Sequence, residues 1–317
     1  MITITKSMTS RRGLFALTAA AAAGATLTAC NRGGDGEGAG ERVMLAVSTQ
    51  TNPFFVQLVE GAQAEAEAQG LTLDIQDASD DSATQADQLA NAITQGVSLV
   101  IVNPTDSDAV ATSVESLNDA GIPVIAVDRN ATSGELASFV ASDNVAGGTQ
   151  AAEALAAAIG EEGEVIVLQG VPGSSASRDR GEGFTQGIEQ FEGITVAAQQ
   201  TANFDRAEGL NVATNLLQAN PGVTGIFCEN DEMALGAIEA LGDRAGTDVI
   251  VVGFDGTTEG IAAVDAGTLH ATIAQQPEEL GKQSVAEAVK VLAGEATEDE
   301  VSVEVVTVTE DNASEYQ

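Results

Sequence analysis

A short apolar run within residues 121–130 constrains the fold more than any other part of the chain. Gly121 and Pro123 precede it, and it ends in the polar triplet Asp128–Asn130. The run is too short for most helices and apolar at every position, which is typical of a β-strand buried on both faces. Such strands belong to parallel sheets covered by helices, so the run predicts an α/β fold.

The polar triplet is also a candidate for ligand contact, because ligands of open α/β sheets bind beyond the carboxyl ends of the strands. For this strand alone, a solvated loop between a strand and a helix is an equally good interpretation.

Similar runs recur along the chain and alternate with stretches whose apolar residues have helical spacing. The predicted strands are Val43–Ser48, Leu71–Ile75, Leu99–Val102, Val124–Val127, Ser138–Ala141, Val165–Leu168, Ile194–Gln199, Gly225–Cys228 and Val249–Gly253. Repeated strand–helix units predict parallel sheets with helices on both faces. The chain is long for one such sheet, so we expect two lobes with a boundary near Ser142. A last strand region, Val301–Val308, can join either lobe.

The N-terminal residues 1–29 are predicted to be an export signal, since Arg11 and Arg12 precede an apolar, alanine-rich run. The adjacent arginines suggest twin-arginine export, with the general secretory route as the alternative. Residues 27–30 resemble a bacterial lipobox, which predicts lipidation of Cys30; a simple signal peptide is the alternative. Residues 30–41 are rich in glycine and charge and are predicted to be a flexible tether.

The net charge of −36 argues against nucleic acid as a partner, because phosphate binding needs clustered Lys and Arg. A folded acidic chain with only three lysines suggests adaptation to high salt, which would screen the self-repulsion. One histidine and no Cys/His cluster argue against a metal site, and no cofactor is expected. The second cysteine, Cys228, lies in an apolar run and is predicted to be a buried structural thiol.

Several other predicted strands also end in side chains that suit a small polar ligand. They offer carboxylates, guanidinium groups, amides and phenyl rings, at Asp128, Asp255, Arg129, Arg178 or Arg180, Asn52, Asn230, Phe54, Phe55 and Phe204. Carboxylates, amides and guanidinium groups can each engage two sugar hydroxyls, and the C–H faces of a sugar pack on aromatic rings. The inventory therefore predicts a sugar site.

Three points stay open from the residues alone. Asn230 or Asp231 could cap the following helix, which would leave the other one free for a ligand. Phe54 and Phe55 are adjacent, so one could face the core while the other faces a cleft. Arg178 and Arg180 compete for one role.

Long stretches of the chain resemble the pentose/hexose-binding family of periplasmic proteins that serve ABC transporters. The resemblance covers about residues 43–308 and is carried by specific segments. These are Ser48–Val56, Asn103–Val110, Ala141–Val145, Arg180–Phe184, Phe204–Arg206, Asn230–Ala237, Val251–Thr257 and Ala271–Gln275.

The resemblance implies D-ribose or a similar monosaccharide as ligand. It implies that Phe54 and Phe204 stack on the two sugar faces, that Phe55 completes the apolar wall, and that the polar residues bond the hydroxyls and the ring oxygen. It favours Arg180 over Arg178 and adds Gln275. The full implied set is Asn52, Phe54, Phe55, Asp128, Arg129, Arg180, Phe204, Asn230, Asp255 and Gln275.

The family architecture implies two doubly wound parallel-sheet lobes of periplasmic-binding-protein type I, joined by a three-strand hinge and closing around the ligand. The expected N-terminal lobe is 42–142 plus 276–304, and the expected C-terminal lobe is 143–275 plus 305–312. An ABC transporter permease is the expected partner, and a chemoreceptor is a further one that the sequence leaves open. The protein is expected outside the cytoplasm, held to the membrane only by a lipid at Cys30.

Three alternatives stand beside this interpretation. Another sugar, such as allose, another pentose or a furanose-like signal, could occupy the same site. An enzyme could use Asp128 and Asp255 as an acid/base pair, but each acid is expected beside an arginine or amide that keeps it ionised. A sugar-responsive transcription regulator would need a basic DNA-binding segment where the export signal and tether lie.

Overall fold

The computed structural model describes residues 41–316, and in it the strand Val124–Val127 lies inside a six-stranded parallel sheet. The strands of this first sheet, numbered in chain order, are β1 (Arg42–Val47), β2 (Thr72–Asp77), β3 (Leu99–Val102), β4 (Val124–Val127), β5 (Ser138–Ser142) and β11 (Glu300–Val303). Their order across the sheet is β11-β5-β4-β3-β1-β2. All five pairings in it are parallel.

A second sheet repeats the plan with the order β12-β10-β9-β8-β6-β7. Its strands are β6 (Glu162–Gln169), β7 (Gly193–Thr201), β8 (Val223–Cys228), β9 (Ile250–Asp255), β10 (Ala271–Ala274) and β12 (Val306–Val308). Only the edge strand β12 is antiparallel to its neighbour. The α/β fold with two doubly wound sheets is therefore confirmed.

Nine α-helices connect the strands within the described residues. They are α1 (Pro53–Gln69), α2 (Ser82–Gln95), α3 (Ala111–Asp119), α4 (Asn144–Ala158), α5 (Ser175–Ile188), α6 (Arg206–Ala219), α7 (Asp231–Leu241), α8 (Thr258–Asp265) and α9 (Pro277–Leu292). Among residues 41–316, no helix is both long and apolar enough to span a membrane.

Strand β1 shows why the sequence forms a sheet buried on both faces. Val43, Leu45 and Val47 pack on one side with α1 and α9. Met44 and Ala46 pack on the opposite side with α2 and α3. Because side chains alternate across a strand, only a run that is apolar at every position can fill both interiors.

The chain passes between the two sheets three times. It crosses after β5, after β10, and between β11 and β12. The last strand region predicted as one piece, Val301–Val308, is thus two strands that join different sheets. The predicted lobe bounds at 142/143, 275/276 and 304/305 lie near these crossings, and the lobes as moving units remain a prediction.

Sequence reasoning missed β10 as a strand, because Ala271–Ala274 contains only one large apolar residue, Ile273, and follows a turn without glycine or proline next to it. Other strand ends differ from expectation by a few residues, as at β9, which runs on to Asp255. The export signal at 1–29, Cys30 and the tether up to residue 40 lie outside the described residues.

Candidate ligand-binding site

All ten candidate residues from the sequence line one cavity between the carboxyl ends of the two sheets. Ala176 is the one further lining residue. The empty space among these side chains is about 240 Å³. A space of this kind, enclosed by eleven side chains, suits a small ligand.

The start of α1 places three of these residues. The Asn52 side chain caps the helix by accepting a hydrogen bond from Phe54 N at 2.9 Å, and Pro53 occupies the first turn. The Phe54 and Phe55 rings meet edge to face, with centroids 5.1 Å apart. Both rings line the cavity and both also pack into the core of the first sheet, so the alternatives that the residues alone left open do not exclude one another.

Asp128 and Arg129 lie at the end of β4, and both are buried. Asn103, at the end of β3, donates to Asp128 Oδ2 at 3.1 Å and to Val127 O at 3.2 Å. Arg129 Nη1 donates to Pro104 O at 3.1 Å, and its Nε lies 3.6 Å from Asp128 Oδ2. The guanidinium lies over the ring of Phe55 at 5.2 Å from the centroid, a cation–π contact.

Arg180 enters the cavity from α5 and connects residues of several elements. Its Nε donates to Asn144 Oδ1 at 2.9 Å, and its Nη1 donates to Glu229 O at 2.7 Å. Nη1 also lies 3.5 Å from Asp255 Oδ1, which accepts a hydrogen bond from Gln275 Nε2 at 2.7 Å. The guanidinium lies 3.9 Å from the centroid of Phe254.

Arg178 does not line this cavity and bonds Gly173 O instead. The choice of Arg180 over Arg178, which the residues alone left open, therefore matches the observed geometry.

Phe204 and Asn230 complete the second-sheet side. Asn230 Oδ1 caps α7 by accepting from Met233 N at 3.0 Å, and its Nδ2 donates to Phe204 O at 3.2 Å. Asn230 thus both caps the helix and lines the cavity, whereas Asp231 accepts hydrogen bonds from Thr257 and Thr272. One of the two residues caps the helix, as expected, but the other one, Asp231, is not left free for a ligand.

Backbone strain concentrates at this cavity and its mouth. Seven non-glycine residues of the described chain have positive φ angles, among them Asp128 (64°), Phe204 (60°) and Asp255 (122°) at the cavity. Asp80 and Asn203 line a smaller cavity at the mouth, which shares Asn52 and Phe55 with the main one. Residues in such conformations cluster at functional sites, because the surrounding structure must hold them there.

Burial dominates the electrostatics of the two cavity carboxylates. It raises the pKa of Asp128, against the opposing charges of Arg129 and Arg180. It likewise raises the pKa of Asp255 well above its ordinary value, against Arg180. Burial also lowers the pKa of Arg129. The acids do lie beside arginine or amide groups, as expected, but burial offsets the ionising effect of those neighbours.

Three buried polar atoms of cavity residues have no hydrogen-bond partner among the described residues. They are Asp128 Oδ1, Arg129 Nε and Gln275 Oε1, two acceptors and one donor. Buried polar groups are nearly always paired, so these atoms mark positions where a ligand would donate and accept. No cluster of metal-binding side chains occurs in residues 41–316.

The residues that sequence reasoning missed lie behind the cavity wall. Asn103, Asn144 and Glu229 each bond a cavity residue, and Gly170 gives the Phe204 ring room, since a Cβ there would lie 2.1 Å from Phe204 Cζ. Asn103 and Glu229 follow strands, so the strand-end rule could have found them. A larger groove of about 1,180 Å³ lies between α5 and β7 and contains none of the ten candidates.

Comparison with known proteins agrees with this architecture. Residues 43–296 match the periplasmic binding protein domain family. The chain is 47% identical over 268 residues to the ribose import binding protein RbsB of Escherichia coli (strain K12), covering 84% of this chain and 90% of that protein.

Two solved structures add to the comparison. A periplasmic solute-binding protein from Actinobacillus succinogenes 130z with bound D-allose has a TM-score of 0.82 at 31% identity, covering 87% of this chain and 99% of the other. A solute-binding protein from Bacillus halodurans C-125 with bound myo-inositol has a TM-score of 0.82 at 33% identity, covering 89% and 99%.

The chain belongs to the periplasmic binding protein family. The relatives named here are binding proteins of import systems and ABC transporters, not enzymes, so the acid/base alternative for Asp128 and Asp255 is set aside.

Proposed function

We propose that the protein is an extracytoplasmic substrate-binding lipoprotein that captures D-ribose and delivers it to an ABC transporter permease. The observation that carries the proposal is the set of unpartnered buried atoms at Asp128, Arg129 and Gln275, in a cavity walled by phenyl rings. A small molecule that both donates and accepts hydrogen bonds could pair these polar atoms, and its apolar faces could pack on the phenyl rings. A monosaccharide is such a molecule.

Ribose is favoured over other sugars because the protein named for ribose import is a much nearer relative in sequence than the allose and inositol binders. The cavity also holds every residue that the family resemblance implies for ribose. Allose, another pentose or a furanose-like signal is the alternative, since relatives of similar fold hold other polyols.

Capture would proceed by closure of two lobes, 42–142 with 276–304 against 143–275 with 305–312. Two hydrogen bonds join the lobes at the cavity rim in the observed conformation. Ser107 N donates to Gly173 O at 3.1 Å, and Asn130 N donates to Ser175 Oγ at 2.8 Å. A ligand that contacts both lobes stabilises this closed state through its higher affinity for it.

Calorimetric titration with D-ribose, D-allose, D-xylose and myo-inositol in concentrated salt tests the proposal. We expect saturable one-to-one binding of ribose, with the other three at least tenfold weaker, because an absent or misplaced hydroxyl leaves a buried partner unpaired. Tighter binding of any other sugar would replace ribose as the ligand. No heat and no thermal shift with any of them would overturn the sugar-binding proposal.

The proposed anchor is a lipid on Cys30, and the proposed route is export. Metabolic labelling of expressing cells with a radioactive or alkyne-tagged fatty acid would test it, with Cys30→Ser as the control variant. Label on the wild type that is absent from Cys30→Ser is the expected result. Equal absence of label from both proteins would refute the anchor while leaving the binding proposal untouched.

A further inference from the structure

Glu229 lies behind the cavity wall, and neither the strand-end inventory nor the family resemblance gave it a role. Its side chain is fully buried at the end of β8. One carboxylate oxygen, Oε2, accepts hydrogen bonds from Gly170 N at 2.7 Å and from the hydroxyl of Ser177. The other oxygen, Oε1, has no partner among the described residues. The carboxylate therefore ties the ends of β6 and β8 to the first turn of α5.

Each of these ties supports a cavity residue. The Phe204 ring lies directly against Gly170, and a Cβ at this position would clash with the ring atoms. Arg180 Nη1 donates to the backbone oxygen of Glu229 at 2.7 Å. A shift of Glu229 would thus move the aromatic wall and the guanidinium together.

We propose that Glu229 is a positioning residue of the cavity, whose ionised carboxylate holds Phe204 and Arg180 where the sugar needs them. This inference rests on the proposed function of ribose binding. Both partners of Oε2 are donors, so the ionised form suits the site, and charge-assisted hydrogen bonds are about twice as strong as neutral ones. A proton on the carboxylate would weaken both bonds.

The charge state of Glu229 changes in an accessible pH range. Burial raises its pKa to about 7, while the bonds from Ser177 and Gly170 and the charge of Arg180 oppose that rise. Other titratable or charged groups on the neighbouring elements are Arg178, Asp179 and Glu182 on α5, Glu162 and Glu164 on β6, Cys228 on β8, Asp231, Glu232 and Glu239 on α7, and Asp255 at the end of β9. These groups are present in both wild type and Glu229→Gln, so the difference between the two pH profiles of ribose affinity reports on Glu229.

Ribose affinity and the free energy of unfolding should respond to pH in opposite directions. Affinity for ribose should fall as the pH drops through about 7, because the positioning bonds weaken. The free energy of unfolding should change the other way. The folded-state pKa lies above the ordinary 4.5, so the stability linked to this proton is present at low pH and is lost as the pH rises through about 7. A residue that only stabilised the fold would move both quantities together.

The experiment measures the ribose dissociation constant by calorimetry, and the melting temperature without ligand, from pH 5.5 to 8.5 at one high salt concentration. Glu229→Gln should bind ribose about five- to tenfold more weakly than wild type at pH 8.5, the difference between a charged and a neutral acceptor. Its affinity should lack the change near neutrality. Glu239→Gln, an exposed site on α7, should behave as wild type.

A second variant, Ser177→Ala, tests the role of Glu229 without replacing Glu229 itself. Ser177→Ala removes a bond that lowers the pKa of Glu229, so the change in affinity should move to higher pH. Superimposable pH profiles for wild type, Glu229→Gln and Ser177→Ala, with ribose still bound, would overturn this proposal alone. Absence of ribose binding by the wild type at every pH would overturn the proposed function and this proposal with it.

Discussion

Replacing Asp255 by Asn tests the charge chemistry of the cavity with little change in shape. Asp255 is 4% exposed, and its Oδ1 lies 2.7 Å from Gln275 Nε2 and 3.5 Å from Arg180 Nη1. Asparagine keeps one oxygen for Gln275. It replaces the second carboxylate oxygen by a donor, so a sugar hydroxyl loses a charged acceptor.

The expected loss follows from that one change. A hydrogen bond to a charged group contributes roughly 1.5–3 kcal/mol, so its loss should raise the dissociation constant for ribose roughly 10- to 100-fold. Stability should not fall with it. Burial raises the pKa of Asp255 in the folded protein, so the ionised carboxylate destabilises the fold near neutral pH, and a neutral amide removes that cost.

Calorimetry with D-ribose and thermal melting without ligand, both at pH 7.5 in concentrated salt, measure the two effects. Asp248→Asn, an exposed site just before β9, is the matched control and should bind as wild type. Ribose affinity within twofold of wild type for Asp255→Asn would refute the reasoning. A large fall in melting temperature would also refute it, since burial makes the ionised form of this carboxylate a cost to the fold.

Three further predictions rest on two contacts and on the net charge of the chain. Gly173→Ala should weaken ribose binding at least roughly tenfold by calorimetry, because φ is +93° and a Cβ would lie 2.9 Å from Asp106 Cγ across the lobes. The Asp106 carboxylate cannot easily move away, since Asp108 N and Ala109 N donate to its Oδ1. Gly267→Ala shares the backbone strain but has open space, and equal binding by the two variants would contradict the lobe contact. Asn103→Ala should lower the free energy of unfolding by about 3 kcal/mol in denaturant titrations, because it removes the hydrogen-bond partner of Asp128 and of buried backbone groups. It should also weaken ribose binding, and unchanged affinity would refute the role of Asn103 in orienting Asp128. The melting temperature should rise with salt concentration, since screening relieves the repulsion of a chain with net charge −36, and a flat or falling curve would remove the high-salt hypothesis.

Much of the fold was predictable because the apolar runs are short, continuous and regularly separated by helical patterns. Strands such as Leu99–Val102 and Val124–Val127 occur at their predicted bounds, since neither could be buried on one face alone. The strand Ala271–Ala274 was not predictable in the same way. It contains a single large apolar residue, Ile273, and its place next to β9 depends on a tertiary pairing that leaves no local pattern.

The candidate site was predictable to the extent that its residues end strands or begin helices. Asp128 and Asp255 follow apolar runs directly, and parallel strands bring such ends to one edge. Gln275 came only from the family resemblance, because its strand was missed. Glu229 ends a strand and could have been selected, but its supporting role and that of Gly170 could not be predicted, since they depend on which side chain meets which backbone group across three elements.

A crystal structure of the protein grown with D-ribose would show whether the cavity is the sugar site. We expect one ribose between the rings of Phe54 and Phe204, with its hydroxyls within hydrogen-bond distance of Asp128, Arg129 and Gln275. Sugar bound elsewhere on the molecule, or a closed cavity without sugar at saturating ribose, would contradict it.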